Sequence, residues 1–155
     1  MPVRRAALLS LFLAAPPALA GSPAVDYALN CQGCHRDDGS GTPGSVPPLA
    51  GSVGRFLAVP GGREFIVRVP GVATSALDDA ALAAVLNWML ERFGPEDVPK
   101  GFVPYAAEEV RRLRQRPLTD VAGARRQLVE AIERAIIESA RRAPPRSRRA
   151  GAEPP

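Results

Sequence analysis

Histidine, cysteine and lysine are almost absent from this 155-residue chain, which holds one His, two Cys and a single Lys, Lys100. A zinc site closed by four protein ligands cannot be assembled from so few donors. Aromatic residues are also scarce, at 5% with one Trp, so a large hydrophobic core is excluded. A small chain in that position needs a staple, which means a disulfide, a metal or a cofactor. No uninterrupted apolar run reaches the ~20 residues of a membrane span, and there is no internal repeat. Glycine and proline are plentiful instead, at 14 and 17 residues, which predicts long loops or unstructured ends.

The first twenty residues read as an export leader. Arg4 and Arg5 precede the apolar run Ala6 to Ala15, then Pro16-Pro17 and Ala18-Leu19-Ala20. A basic start, a short apolar stretch and a small-x-small site predict cleavage before Gly21 and a periplasmic location. In an oxidising compartment two cysteines would ordinarily pair as a disulfide. Here only two residues separate them and a histidine follows at once, which changes the reading.

Charge divides the mature chain. Residues 21–105 carry six Lys/Arg against nine Asp/Glu, a net of −3, whereas 106–155 carry twelve Arg against seven acids, a net of +5. The basic balance therefore belongs to a C-terminal extension, and does not by itself indicate nucleic acid. We expect no nucleic-acid partner.

Helix signals punctuate the chain. Ser22-Pro23 is a start signal, leading through Val25, Tyr27, Ala28 and Leu29 into the cysteine pair. Residues 36–72 are rich in Gly and Pro, show no period, and are expected to form loop. Within them Phe65 to Val69 reads equally as a short strand or a helical turn. Asp78-Asp79 caps a helix whose stripe is Leu82, Val85, Leu86, Met89 and Leu90, and Gly94-Pro95 stops it. Helices are expected over 106–115 and about 120–142, divided by Pro117. The expected organisation is a leader at 1–20, a principal domain at 21–94, a linker at 95–105, a basic helical extension at 106–142 and a disordered tail at 143–155.

Residues 31–35 read Cys-Gln-Gly-Cys-His, the C-x-x-C-H signature of c-type haem attachment. On a helical turn, residues three and four apart share a face. Cys31 and Cys34 can therefore reach the two vinyl groups on one haem edge, and His35 can ligate the iron. A thioredoxin-like pair would want a βαβ setting, which this sequence lacks.

The motif and its surroundings resemble the class I c-type cytochromes over about residues 22–93. The family's P-x-L-x-G-x-x-G-R loop is matched at every fixed position by residues 47–55, Pro-Pro-Leu-Ala-Gly-Ser-Val-Gly-Arg. The resemblance implies an all-α fold, several short helices around one covalent haem c, here followed by the C-terminal extension. It implies that the Pro47 carbonyl receives the bond from the proximal His ring, that Arg55 neutralises a propionate, and that Trp88 and Tyr27 meet where the last core helix crosses the first.

The family places a methionine ligand in the loop before that last helix. Residues 69–77 hold no Met, His or Lys. Met89 is the only methionine after residue 20 and a candidate for the sixth iron ligand, with Lys100 a weaker one from the linker, against an open site. The resemblance implies a non-enzymatic electron carrier that cycles Fe(III) and Fe(II) with a redox partner protein, such as a dehydrogenase or a membrane respiratory complex. The alternative is a haem-based ligand-binding or sensory module with an open sixth position. In the extension, Val121, Leu128, Ile132, Ile136 and Ile137 make an amphipathic stripe, which predicts folding back onto the principal domain, docking on an acidic partner, or contact with a membrane surface.

Overall fold

The computed structural model describes residues 21–142. The leader expected at 1–20 and the tail expected at 143–155 lie outside them. The described residues are helical, with an isolated bridge between Thr42 and Val46 and no strand.

Helix α1 spans Pro23–Asn30, with Pro23 in its first turn and Ser22 extended at the cap; the Ser22 hydroxyl makes no cap bond. Tyr27 is its one buried side chain. Cys31, at φ −124° and ψ −36°, interrupts the helix, and α2, Gln32–His35, carries the motif onward. Arg36 ends it at a φ of 62°, a conformation that favours glycine.

The stretch 36–72, expected to be loop, contains three helical pieces: a 3-10 turn at Val53–Ala58, α3 at Gly62–Arg68 and α4 at Pro70–Ala73. Phe65 to Val69, left open between strand and turn, is the end of α3 and its cap. Gly61 adopts a φ of 83° ahead of α3, and a Cβ on Gly62 would collide with the Phe56 carbonyl. These glycines therefore start a helix rather than break one. Elements of one or two turns show too few periods to register in a Gly/Pro-rich sequence.

Helix α5 spans Asp79–Phe93. The Asp78 carboxylate accepts from the Ala81 amide at 2.8 Å and so satisfies a donor of the first turn. Leu82, Val85, Leu86, Met89 and Leu90 are all buried, as their spacing predicts, and Gly94 ends the helix. α5 packs against α1, and the Tyr27 ring lies 5.2 Å from Trp88 and 5.3 Å from Phe93.

The basic extension folds back. Helix α6, Ala107–Arg114, packs on α5, α3 and α4, and Val110 is 0% exposed. Helix α7, Val121–Arg142, packs on the 3-10 turn and α3, burying Ile132. The stripe is used only in part, since Ile136 and Ile137 remain half exposed. The segment before α6 is pinned as well: Tyr105 is buried, exchanges two hydrogen bonds with the Asn87 side chain, and donates its hydroxyl to the Arg63 carbonyl at 2.9 Å.

Ion pairs fasten the extension. Arg63 makes a two-pronged pair with Glu109 at 2.6 and 2.7 Å. The hydrogen bonds from Arg63 hold the Glu109 carboxyl below its ordinary range. A depressed carboxylate stabilises the fold above its unfolded pKa and loses that contribution as pH falls through the folded value. The wild type should therefore lose stability below about pH 4.5, and Glu109→Gln should flatten that acid limb in denaturant titrations followed by circular dichroism. Val110→Ala should cost about 2–3 kcal/mol in the same assay, from two buried carbon groups plus the cavity left behind. A cost near zero would mean that α6 is not part of the core.

Candidate haem site

The motif is held from two sides. The Tyr27 hydroxyl donates to the Arg36 carbonyl at 2.7 Å, one residue past the histidine. Burial pushes the Tyr27 phenol up to about 12, with the charges of Cys31, Asp38 and Asp37 adding to it, so it remains a donor. Thr42 Oγ1 donates to the Cys34 carbonyl at 3.1 Å, and the Gly41 amide donates to the His35 carbonyl at 3.1 Å. A Cβ on Gly41 would strike the carbonyls of Val46 and Pro47, so the loop closes this tightly only with glycine there. The Leu49 and Ala50 amides both donate to the Gly39 carbonyl, which draws Pro47 back toward the histidine.

Together these elements wall a cavity of about 910 Å³, its open mouth included. Its walls are mostly apolar with few polar groups, as is usual for cofactor sites. Cys31, His35, Pro47 and Met89 line it, with Leu49, Val53, Phe56, Phe65, Ile66, Val69, Val72, Leu82, Val85 and Leu86 among the apolar remainder. Four of the six candidate residues are thus brought together. Cys34 is exposed and not on the wall, and neither cysteine is in a disulfide.

The sixth candidate departs from its expected place. Arg55 points out of the cavity and pairs with Asp97 at 3.1 Å, in a separate groove beside Ile132 and Ile136. The cause is local: the 3-10 turn faces Val53 and Phe56 inward, and Arg55, between them, outward.

Electrostatics favour a neutral ligand. Burial lowers the pKa of His35, partly opposed by the nearby Pro47 carbonyl. That carbonyl sits beside the ring without completing a hydrogen bond, so Nδ1 is buried and unpartnered. A neutral imidazole of this kind is the form that ligates metals. Burial, then the neighbouring Cys34, pushes the Cys31 thiol up. No group of three or more His, Cys, Asp or Glu among the described residues could hold a bare metal ion. The donors fit an iron delivered within an apolar, covalently attached macrocycle.

The wall facing 69–77 offers iron nothing. Val69, Gly71, Val72 and Ser75 line it, and none carries a nitrogen or thioether donor. That wall is braced from the extension. Arg114 of α6 donates to the carbonyls of Ala73, Leu77 and Ser75 and pairs with Asp79 at 3.1 Å. Sequence reasoning missed Arg114, and the arginine density of α6 gave no means of singling it out. It also missed Arg125 of α7, which lines the cavity. Arg125 lies four residues after Val121, on the same helical face, and that spacing was a usable signal.

No protein-family model matches the chain. It is similar to a cytochrome c-552 of Thermus thermophilus, at 38% identity over 130 residues, which takes in 72% of this chain and 88% of that protein. It is also similar to a second cytochrome c-552 of the same species, at 41% over 107 residues, 57% of this chain and 82% of that protein. In the first match 72% of the chain is about 112 residues, so some 18 of the 130 positions have no counterpart here. With that similarity, a helical fold and an apolar cavity that gathers Cys31 and His35, the chain belongs to the class I c-type cytochromes, electron carriers with a covalently bound haem c.

Proposed function

We propose that Cys31 and Cys34 bind the haem by thioethers, that His35 is its proximal ligand oriented by the Pro47 carbonyl, and that the protein carries electrons in an exported compartment. The observation that carries this reading is the convergence of Cys31, His35 and Pro47 on one apolar cavity, with the histidine neutral. When bound, the haem supplies a one-electron Fe(III)/Fe(II) couple. The chain's own groups hold the ring edge, orient the imidazole and exclude water. No His, Asp or Glu other than His35 lines the cavity among the described residues. The reading is therefore a carrier that exchanges electrons with a partner protein, either a dehydrogenase or a membrane respiratory complex, after removal of residues 1–20.

Met89 is assigned to the wall rather than to the iron. Met89 follows the buried stripe of α5 at Leu82, Val85 and Leu86, the spacing of an ordinary apolar wall position, and all four line the cavity. On this reading the iron would have no second protein ligand, in keeping with the wall at 69–75, which carries no nitrogen or thioether donor.

Haem staining on a denaturing gel should give a band that survives acid-acetone extraction and disappears in the Cys31→Ala, Cys34→Ala double variant. Retention by the double variant would refute thioether attachment. His35→Ala should change the ferrous spectrum, and an unchanged one would place another residue on the iron. Ferrous wild type should bind carbon monoxide promptly, and Met89→Leu should leave the spectrum as it was. Slow binding together with a near-infrared sulfur-to-iron band lost in Met89→Leu would return Met89 to the iron.

A further inference from the structure

A haem is amphiphilic. The vinyl edge is apolar and here tied to the cysteines, while the opposite edge carries two propionates. Carboxylates brought against apolar walls require a cation or donors, because an unpaired buried charge is costly. Arg55, the cation implied by the family loop, is engaged by Asp97 outside the cavity. Among the lysines and arginines of the described residues, Arg125 alone lines the cavity.

Three observations bear on Arg125. It is half-buried, with its guanidinium carbon 6.0 Å from the centre of the Phe56 ring, and Phe56 is itself part of the wall. Among the described residues no carboxylate or carbonyl pairs with it, whereas Arg55, Arg63, Arg68 and Arg114 all have partners. Its helix packs on the 3-10 turn and α3, whereas the cysteines sit on α1 and α2. Arg125 thus reaches the cavity from elements other than those that carry the cysteines.

We propose that Arg125 is the propionate-binding residue of this cytochrome, so that α7 of the C-terminal extension completes the haem site and sets its potential. This rests on the haem c reading above. A guanidinium matches a carboxylate with two parallel donors and remains charged at every working pH. Paired with Arg125, a propionate stays ionised and its charge is offset near the iron. Without Arg125, the uncompensated negative charge favours Fe(III), and the potential falls. A propionate freed from its cation also titrates closer to neutral pH.

The other charged groups near this wall give little competing pH response. Arg55 pairs with Asp97 on the side of the 3-10 turn, Arg63 with Glu109 on α3, and Arg68 donates to the Arg116 carbonyl. The remaining charges of those elements are Glu64 on α3 and Arg126, Glu130, Glu133, Arg134, Glu138, Arg141 and Arg142 on α7, and none of them lines the cavity. Within the cavity, Tyr27 is held as a neutral phenol, and Cys31 and His35 are used by the haem.

The test is spectroelectrochemistry, with soluble mediators, on the full-length haem protein from pH 5 to pH 8. Haem staining and the ferrous spectrum first establish attachment and ligation in each variant, which separates failure of the haem c reading from failure of this proposal. Arg125→Gln should shift the midpoint potential downward and make it fall with rising pH. Arg125→Lys should restore part of the shift, and Arg55→Gln should leave the wild-type curve. Potentials and pH dependence unchanged in Arg125→Gln, with α7 still helical by circular dichroism, would overturn the proposal. So would an effect of the same size in Arg55→Gln. If Arg125→Gln does not fold, Arg125→Lys and Arg125→Met are read by the same measurement, and a pH-independent wild-type potential in Arg125→Met would overturn it equally.

Discussion

The contact on which the site depends is the crossing of α1 over α5 at Tyr27. Its ring packs against Trp88 and Phe93, and its hydroxyl holds the Arg36 carbonyl at 2.7 Å. One side chain thereby sets the angle of the helix that presents Cys31 and also fixes the chain just beyond His35. Aromatic pairs of this kind contribute about 0.5–1.5 kcal/mol beyond their buried area. The single Trp and one of the two Tyr meet at this crossing, and Tyr27 also lines the cavity. The positive φ of Arg36 lies at that same fastening, where the hydrogen bond from Tyr27 holds the turn in place.

The second determinant is the extension. Its charge suggests a surface for partners, yet several of its groups are spent inside the molecule. Glu109 takes Arg63, Arg114 braces the loop 73–79, and the Leu118 amide donates to the Arg68 carbonyl. Isolated surface ion pairs contribute ~0–1 kcal/mol. Arg114 differs because one planar group satisfies several carbonyls that no helix or sheet would otherwise serve. The arginines left for steering are those on the outer faces of α6 and α7, such as Arg111, Arg134 and Arg142, and each of these is paired with an acid on its own helix. Those acids are already counted in the net of +5 over 106–155, and it is that net charge that sets the long-range attraction to an acidic partner.

How much of this could be read from the sequence follows from the range of each interaction. α1, α5 and α7 were legible because a cap, a period and a stop all lie within one element: Pro23, the stripe from Leu82 to Leu90, and Gly94. The haem motif was legible because five consecutive residues carry its chemistry. α3 and α4 were not, because Gly62 is explained only by the Phe56 carbonyl it packs against. Arg55 matched the family loop in spacing yet faces Asp97, forty-two residues away, a distance over which local pattern is silent. Arg114 and Arg125 likewise act on residues 35 or more positions away, and composition alone shows them as two arginines among many.

The segment 69–77 before α5 and the helices α6 and α7 form one arrangement. Protein interiors are packed densely and tolerate few voids, so a wall that loses length must be replaced or braced. Here 69–77 is a single turn of helix and a short connection, and its carbonyls are gathered by Arg114. α7 then closes the side left between the 3-10 turn and α3, bringing Val121 and Arg125 to the cavity. A distal loop in this fold ordinarily both covers the ring and supplies a ligand. In this chain the cavity wall is shared between the short segment 69–75 and α7, and no nitrogen or thioether donor stands on the former. The extension is therefore part of the cavity wall, to which α7 contributes Val121 and Arg125.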